Sequence, residues 1–144
     1  MSRVYLDTNL LLPLFLGEAE SRRIEAWLGD PAIVPVISDL VVLKFSAVMS
    51  RLVREGRATP EKARATIRLF GRWHEARGRP IAITRRLFTL ARGFVEQPAL
   101  GVRGPDALHL ALVHATGLPF ATFDTRLGRA AATLGLTVVV PPPL

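Results

Sequence analysis

Short apolar runs, each broken by a turn or a cap, alternate along this chain with stretches where apolar residues return every three or four positions. Residues 4–6 (Val4, Tyr5, Leu6) are the first such run, a β-prone segment that stops abruptly at Asp7, Thr8 and Asn9. An apolar helix is predicted over 9–16, with Pro13 tolerated because it lies near the first turn. An amphipathic helix follows over 18–28, with Ile24, Trp27 and Leu28 on one side, and Gly29-Asp30-Pro31 turns the chain. The second strand is predicted over 33–37, where Pro35 implies a bulge or an edge position.

Beyond it, Ser38 and Asp39 cap a long helix over 40–55 that Gly56 closes. Thr59-Pro60-Glu61 opens another helix reaching 76, a cap followed by proline at the first position. A third strand is predicted over 80–83, and Thr84 caps a helix to 95. Gly104-Pro105-Asp106 opens a helix to 115 ended by Gly117. Residues 119–123 form strand four, Asp124 caps the next helix up to Gly135, and 137–140 form strand five. A single domain over 1–140 is expected, with 141–144 an extended, mobile, proline-rich tail.

Strands alternating with helices predict an α/β fold with a parallel sheet covered on both faces. The strands are short and nearly all apolar, as doubly covered strands must be. In such a sheet every strand-to-helix junction lies at one edge, and ligands bind there where the strand order reverses. Asp7 follows strand one and Asp124 follows strand four; Asp106 starts the helix that leads into strand four. If strands one and four are neighbours at the reversal, the three carboxylates converge. Clustered carboxylates repel and stay ionised together only beside a cation, and hard oxygen donors suit Mg²⁺ or Mn²⁺. Thr8, Asn9, Ser38 and Thr122 would supply polar groups behind the carboxylates. Each aspartate at a helix start also serves as an ordinary cap or dipole partner, and the two roles are compatible.

Composition adjusts this picture in three ways. The chain has 144 residues, 49% of them hydrophobic, and lacks cysteine, which excludes disulfides and thiolate metal sites and fits a cytoplasmic protein. No apolar run approaches the roughly 20 residues of a membrane span, and no signal peptide pattern opens the chain. The formal charge is +7, and all but Lys44 and Lys62 of the 19 basic residues are arginine. That balance favours nucleic acid or an acidic protein segment, although arginine-rich coding produces it too. Arg64, Arg68 and Arg72 form a stripe at helical spacing that fits RNA phosphates, an acidic segment or a solvated face. His74, His109 and His114 lack the spacing of a zinc pair and read as structural.

The start Asp7-Thr8-Asn9, the stretch 104–111 around Asp106, and Thr122-Phe123-Asp124 with Leu127 and Ala130-Ala131 resemble the acidic motifs of PIN domains, in the same order. In length the chain resembles the VapC toxins among them. The resemblance implies a PIN-like three-layer α/β/α sandwich around a mainly parallel five-stranded sheet. It implies an endoribonuclease dependent on Mg²⁺ or Mn²⁺, a homodimer, and a VapB-type antitoxin as partner, with Asp7, Asp106 and Asp124 carrying the metal. Apolar surface in excess of a small core, over 10–16 and 40–53, agrees with a dimer interface.

The chain departs from the pattern at Lys44, which stands where these proteins usually place a glutamate. A lysine between Leu43 and Phe45, early in its helix, needs a nearby anion. Its ammonium is expected to point into the acidic pocket, partly replace a metal and impair activity; a lysine snorkelling to water is the plainer alternative. The competing function is an inactive module of the same fold that binds antitoxin or RNA. A phosphate-transfer domain fits less well, because Asn9 stands where a phosphatase needs its second aspartate and Thr84 where a receiver needs its acceptor.

Overall fold

The computed structural model describes residues 1–144. Five parallel strands form one sheet in the order β3-β2-β1-β4-β5. They are β1 (Ser2–Leu6), β2 (Ile33–Ser38), β3 (Arg79–Ile81), β4 (Phe120–Ala121) and β5 (Val138–Val139). Seven α-helices connect them: α1 (Thr8–Leu16), α2 (Ser21–Leu28), α3 (Asp39–Arg54), α4 (Pro60–Arg77), α5 (Arg85–Val95), α6 (Gly104–Thr116) and α7 (Thr125–Thr133). Right-handed crossovers put α1 to α4 on one face and α5 to α7 on the other, giving the expected α/β/α sandwich. No helix is long and apolar enough to cross a membrane.

The caps follow the sequence closely. Ser38 Oγ accepts from the Val41 amide at 3.4 Å, Thr59 Oγ1 accepts from Lys62 at 3.1 Å, and Pro60 takes the first turn of α4. Thr84 holds the cap position of α5 without a side-chain hydrogen bond. One proline departs from expectation and the other meets it. Pro13 is the sixth residue of α1, past the first turn, so the bond its missing N–H would make to the Asn9 carbonyl is lost. Pro35 lies on an inner strand without needing a bulge: it pairs with Val4 on β1, and β3 begins only opposite Val36. On that side β2 is still an edge at Pro35.

The core is continuous across the sheet, with Tyr5, Leu6, Val36, Ile37, Phe120 and Ala121 fully enclosed or nearly so. On the α1–α4 face it is aromatic. Phe45 stacks on Phe70 at 4.2 Å between ring centroids, and Phe15 meets Phe45, Phe70 and Trp73 edge-on. Gly78, between α4 and β3, is required by close approach, since a Cβ there would lie 2.6 Å from His74 Nδ1. At the start of the tail, Pro141 is buried and its carbonyl accepts from Arg23 Nε at 2.6 Å. The guanidinium of Arg23 also lies over the Phe123 ring, 5.2 Å from its centroid.

Candidate active site

The strand order reverses between β1 and β4, which pair through Tyr5–Phe120 and Leu6–Ala121. The condition for convergence of the acidic residues is therefore met at the carboxyl edge of the sheet. Asp7 leaves β1 there as the residue before α1, 3% exposed. Its Oδ2 accepts from Thr122 Oγ1 at 2.8 Å, and the Asp124 amide donates to that same Thr122 oxygen at 3.0 Å. Asn9 Oδ1 accepts from the Phe123 amide at 3.3 Å. The first turn of α1 and the end of β4 are thus fastened together by Asp7, Asn9 and Thr122.

Asp106 and Asp124 face a common cavity of about 170 Å³, also lined by Arg103 and Arg126. Asp124 caps α7, its Oδ1 accepting from the amides of Arg126 and Leu127 at 3.0 and 3.1 Å. Asp106 sits in the first turn of α6, where the helix dipole favours an anion. Lys44 reaches across from α3, and its Nζ lies 3.4 Å from Asp106 Oδ1. The two side chains are 30% and 27% exposed, so the pair is half-buried. Of the residues flanking Lys44 in the chain, Leu43 is 67% exposed and Phe45 is fully buried. Arg64, Arg68 and Arg72 form an exposed stripe on α4 and do not line the cavity of Asp106 and Asp124; Arg64 pairs with Glu61 at 3.6 Å.

Behind Asp7 runs a buried polar chain that the sequence did not make evident. The Tyr5 hydroxyl lies 2.7 Å from Ser38 Oγ and 2.6 Å from His109 Nδ1. Burial pushes the Tyr5 hydroxyl well up, so it remains a neutral donor and acceptor. When Asp7 is ionised its Oδ1 only accepts, so the histidine tautomer that fits beside it carries its proton on Nε2, facing that oxygen at 3.7 Å. This is too long for a hydrogen bond, and Nε2 has no other partner. The signal for the chain was the lone tyrosine within a doubly covered strand, because a buried hydroxyl must find partners.

Burial raises the pKa of Asp7; the Thr122 hydrogen bond and the charge of Lys44 partly offset it. The folded chain therefore holds this proton more tightly than the unfolded chain. The stabilisation by protonated Asp7 is present below about 3.8 and lost as pH rises through the folded value. Asp7→Asn is expected to raise stability at neutral pH by about 1 kcal/mol, since the amide keeps the shape without the buried charge. Equal or lower urea midpoints for the variant at pH 7 would count against this account.

His109 acts in the opposite sense. Burial, then the Lys44 ammonium, push it down to about 3 from 6.5. Acid protonates it in the unfolded chain first, so its contribution is intact above 6.5 and is lost as pH falls toward about 3. At about two pH units below 6.5 the expected loss is about 2–3 kcal/mol, before the opposing Asp7 contribution. The stability–pH curve of His109→Leu is expected to be flatter between pH 6.5 and 4.5; parallel curves would contradict it.

The three aspartates gather at one edge, but the donors do not fit a metal as they stand. No group of three aspartate, glutamate or histidine side chains is close enough to hold one ion. Asp106 is paired with Lys44, and one oxygen of Asp124 is committed to its helix cap. One ammonium supplies a fixed positive charge against which an anionic group can rest. It lacks the charge to lower the pKa of a bound water as a divalent ion does.

Comparison with known proteins agrees with this architecture. The chain is 27% identical to Ribonuclease VapC46 of Mycobacterium tuberculosis over 144 residues, covering 98% of this chain and 99% of that protein. Its fold matches VapBC2 from Rickettsia felis, solved with a DNA fragment from the promoter, at a TM-score of 0.68 and 15% identity over 96% of this chain and 98% of that one. It also matches VapC20 of Mycobacterium tuberculosis, described as a toxin that cleaves the Sarcin-Ricin loop, at a TM-score of 0.67 and 21% identity over 88% and 94% of the two chains. The PIN domain model matches residues 4–133, which hold four of the five strands and all seven helices, and the chain belongs to the PIN domain family.

Proposed function

We propose that this protein is the VapC-type toxin of a type II toxin–antitoxin pair, an endoribonuclease scaffold of the Mg²⁺- or Mn²⁺-dependent kind whose activity is impaired by Lys44. One observation carries the impairment: the Lys44 ammonium lies 3.4 Å from Asp106 Oδ1. The toxin assignment is supported by membership of the PIN family and by similarity to VapC46, VapBC2 and VapC20. By the same analogy the partners are RNA, a VapB-type antitoxin and a second copy of the chain.

In this scheme Asp7, Asp106 and Asp124 form the acidic floor and Asn9, Ser38 and Thr122 hold its frame; Thr8 backs Asp7 only through its backbone amide, its buried hydroxyl having no partner. Asn9 and Thr122 join α1 to β4, while Ser38 holds the start of α3 and the Tyr5 hydroxyl. A second reading, an inactive module that binds antitoxin or RNA, is favoured by the missing three-donor cluster. Cleavage of mixed RNA by the parent chain and by Lys44→Glu, with EDTA and Asp7→Ala controls, separates the two. EDTA-sensitive cleavage that appears with Glu at position 44 supports an impaired nuclease; none from either protein supports the binding module.

A further inference from the structure

We infer that a single-stranded RNA backbone leaves the acidic pocket along a track formed by Arg103, Arg126 and Arg129, and not along the α4 stripe. The inference rests on the nuclease-scaffold reading and deepens it. The cavity that holds Asp106 and Asp124 shares Gly101 and Arg126 with a second cavity of about 220 Å³, which extends past Arg129 toward Thr133. Together they make one groove running from the carboxylates along α7.

Arg126 and Arg129 are three apart on α7 and so share a face, and Arg103 immediately precedes α6 on the opposite wall. All three are exposed, and none pairs with a carboxylate, even though Asp106 and Asp124 line the same cavity as Arg103 and Arg126. Other arginines of this basic chain are also unpaired. These three differ in lining one concavity that opens directly from the acidic residues. Free guanidinium forks match phosphate bidentately, and their charge offsets the repulsion between a phosphate and the nearby carboxylates.

The lining also favours RNA over an acidic peptide. Beside Val102 and Leu127 the first cavity is walled by glycine, arginine and aspartate, and the second adds only Ala99, Leu100 and Ala130 as apolar lining, so the large apolar side chains that anchor a helix are few. Apolar anchorage lies on the other side of α6, in a groove formed by Leu40, Phe88, Val95 and Leu108.

The test is binding of a fluorescent single-stranded RNA of about 12 nucleotides in EDTA, between about 50 and 200 mM salt. For single strands the log–log salt slope changes by about 0.7 per contacted phosphate. The double variant Arg126→Gln, Arg129→Gln is expected to flatten the slope by about 1.4, and Arg103→Gln by about 0.7, with melting temperatures unchanged. Arg64→Gln with Arg68→Gln is expected to leave the slope as in the parent. Binding by the parent with unchanged slopes in the track variants overturns the track and leaves the nuclease reading standing. Equal flattening in the α4 variant overturns the track as well. Absence of RNA binding by the parent overturns the nuclease reading together with the track. Loss of poly-glutamate binding in the track variants, with the RNA slope unchanged, overturns the track in favour of an acidic peptide.

Discussion

Lys44→Glu is expected to show EDTA-sensitive RNA cleavage at least about a hundredfold above the parent chain. At 3.4 Å and an effective dielectric of about 20, one contact between unit charges amounts to about 5 kcal/mol. Solvent screening of two side chains near 30% exposure reduces the net value to about 1–2 kcal/mol. The substitution removes one positive charge and adds one negative, so the pocket's preference for a divalent cation changes by about twice that amount. A change of about 3 kcal/mol corresponds to about a hundredfold. A second readout is independent of RNA: Mg²⁺ or Mn²⁺ is expected to raise the melting temperature of the variant and leave that of the parent unchanged. Adding Asp7→Ala to the variant is expected to remove the cleavage. Parent and variant cleaving at equal rates would mean that Lys44 does not govern the site.

The largest expected loss of stability is for Phe45→Ala. Phe45 is fully buried on α3, stacked on Phe70 of α4 and met edge-on by Phe15 of α1, so one ring joins three helices. Removing a buried phenylalanine side chain costs about 3–5 kcal/mol, against a typical total stability of about 5–15 kcal/mol. The melting temperature is expected to fall by about 10 °C or more. Trp73, in contact with the same cluster, gives a fluorescence probe of the loosened packing. Lys44 adjoins Phe45 in the chain, so loss of this anchor also frees the helix that carries the ammonium. A fall of less than about 3 °C would show that the cluster does not hold α3 in place.

The elements were legible because their signals are local. Val4-Tyr5-Leu6 ending in Asp7, the Ser38 and Thr59 caps, and Gly117 after α6 each depend on neighbours within a turn. Pro13 is the sixth residue of α1, one place further into the helix than a start at Asn9 implies, and so lies past the first turn. Pro141 is held by Arg23, 118 positions away, a contact that no local signal marks. Topology places Asp7, Asp106 and Asp124 at one sheet edge, and the anion expected near Lys44 is Asp106. Tyr5 and His109 were passed over as core residues, and Arg103, Arg126 and Arg129 lay scattered among many arginines.

By itself, then, the sequence determined the alternation of strands and helices, their caps, and the presence of acids at junctions that a parallel sheet gathers at one edge. Periodicity and capping act over one turn or one pleat, so they are written where they act. The tertiary structure alone decided which side chains meet. Lys44 and Asp106 are 62 residues apart, Tyr5 and His109 104 apart, and Asp7 and Thr122 115 apart. Those meetings depend on strand order, on the β1–β4 register and on the seating of α3 and α6 across the sheet edge. The same packing sets burial and distance, and these decide how tightly Asp7 holds its proton and how strongly Lys44 acts on Asp106.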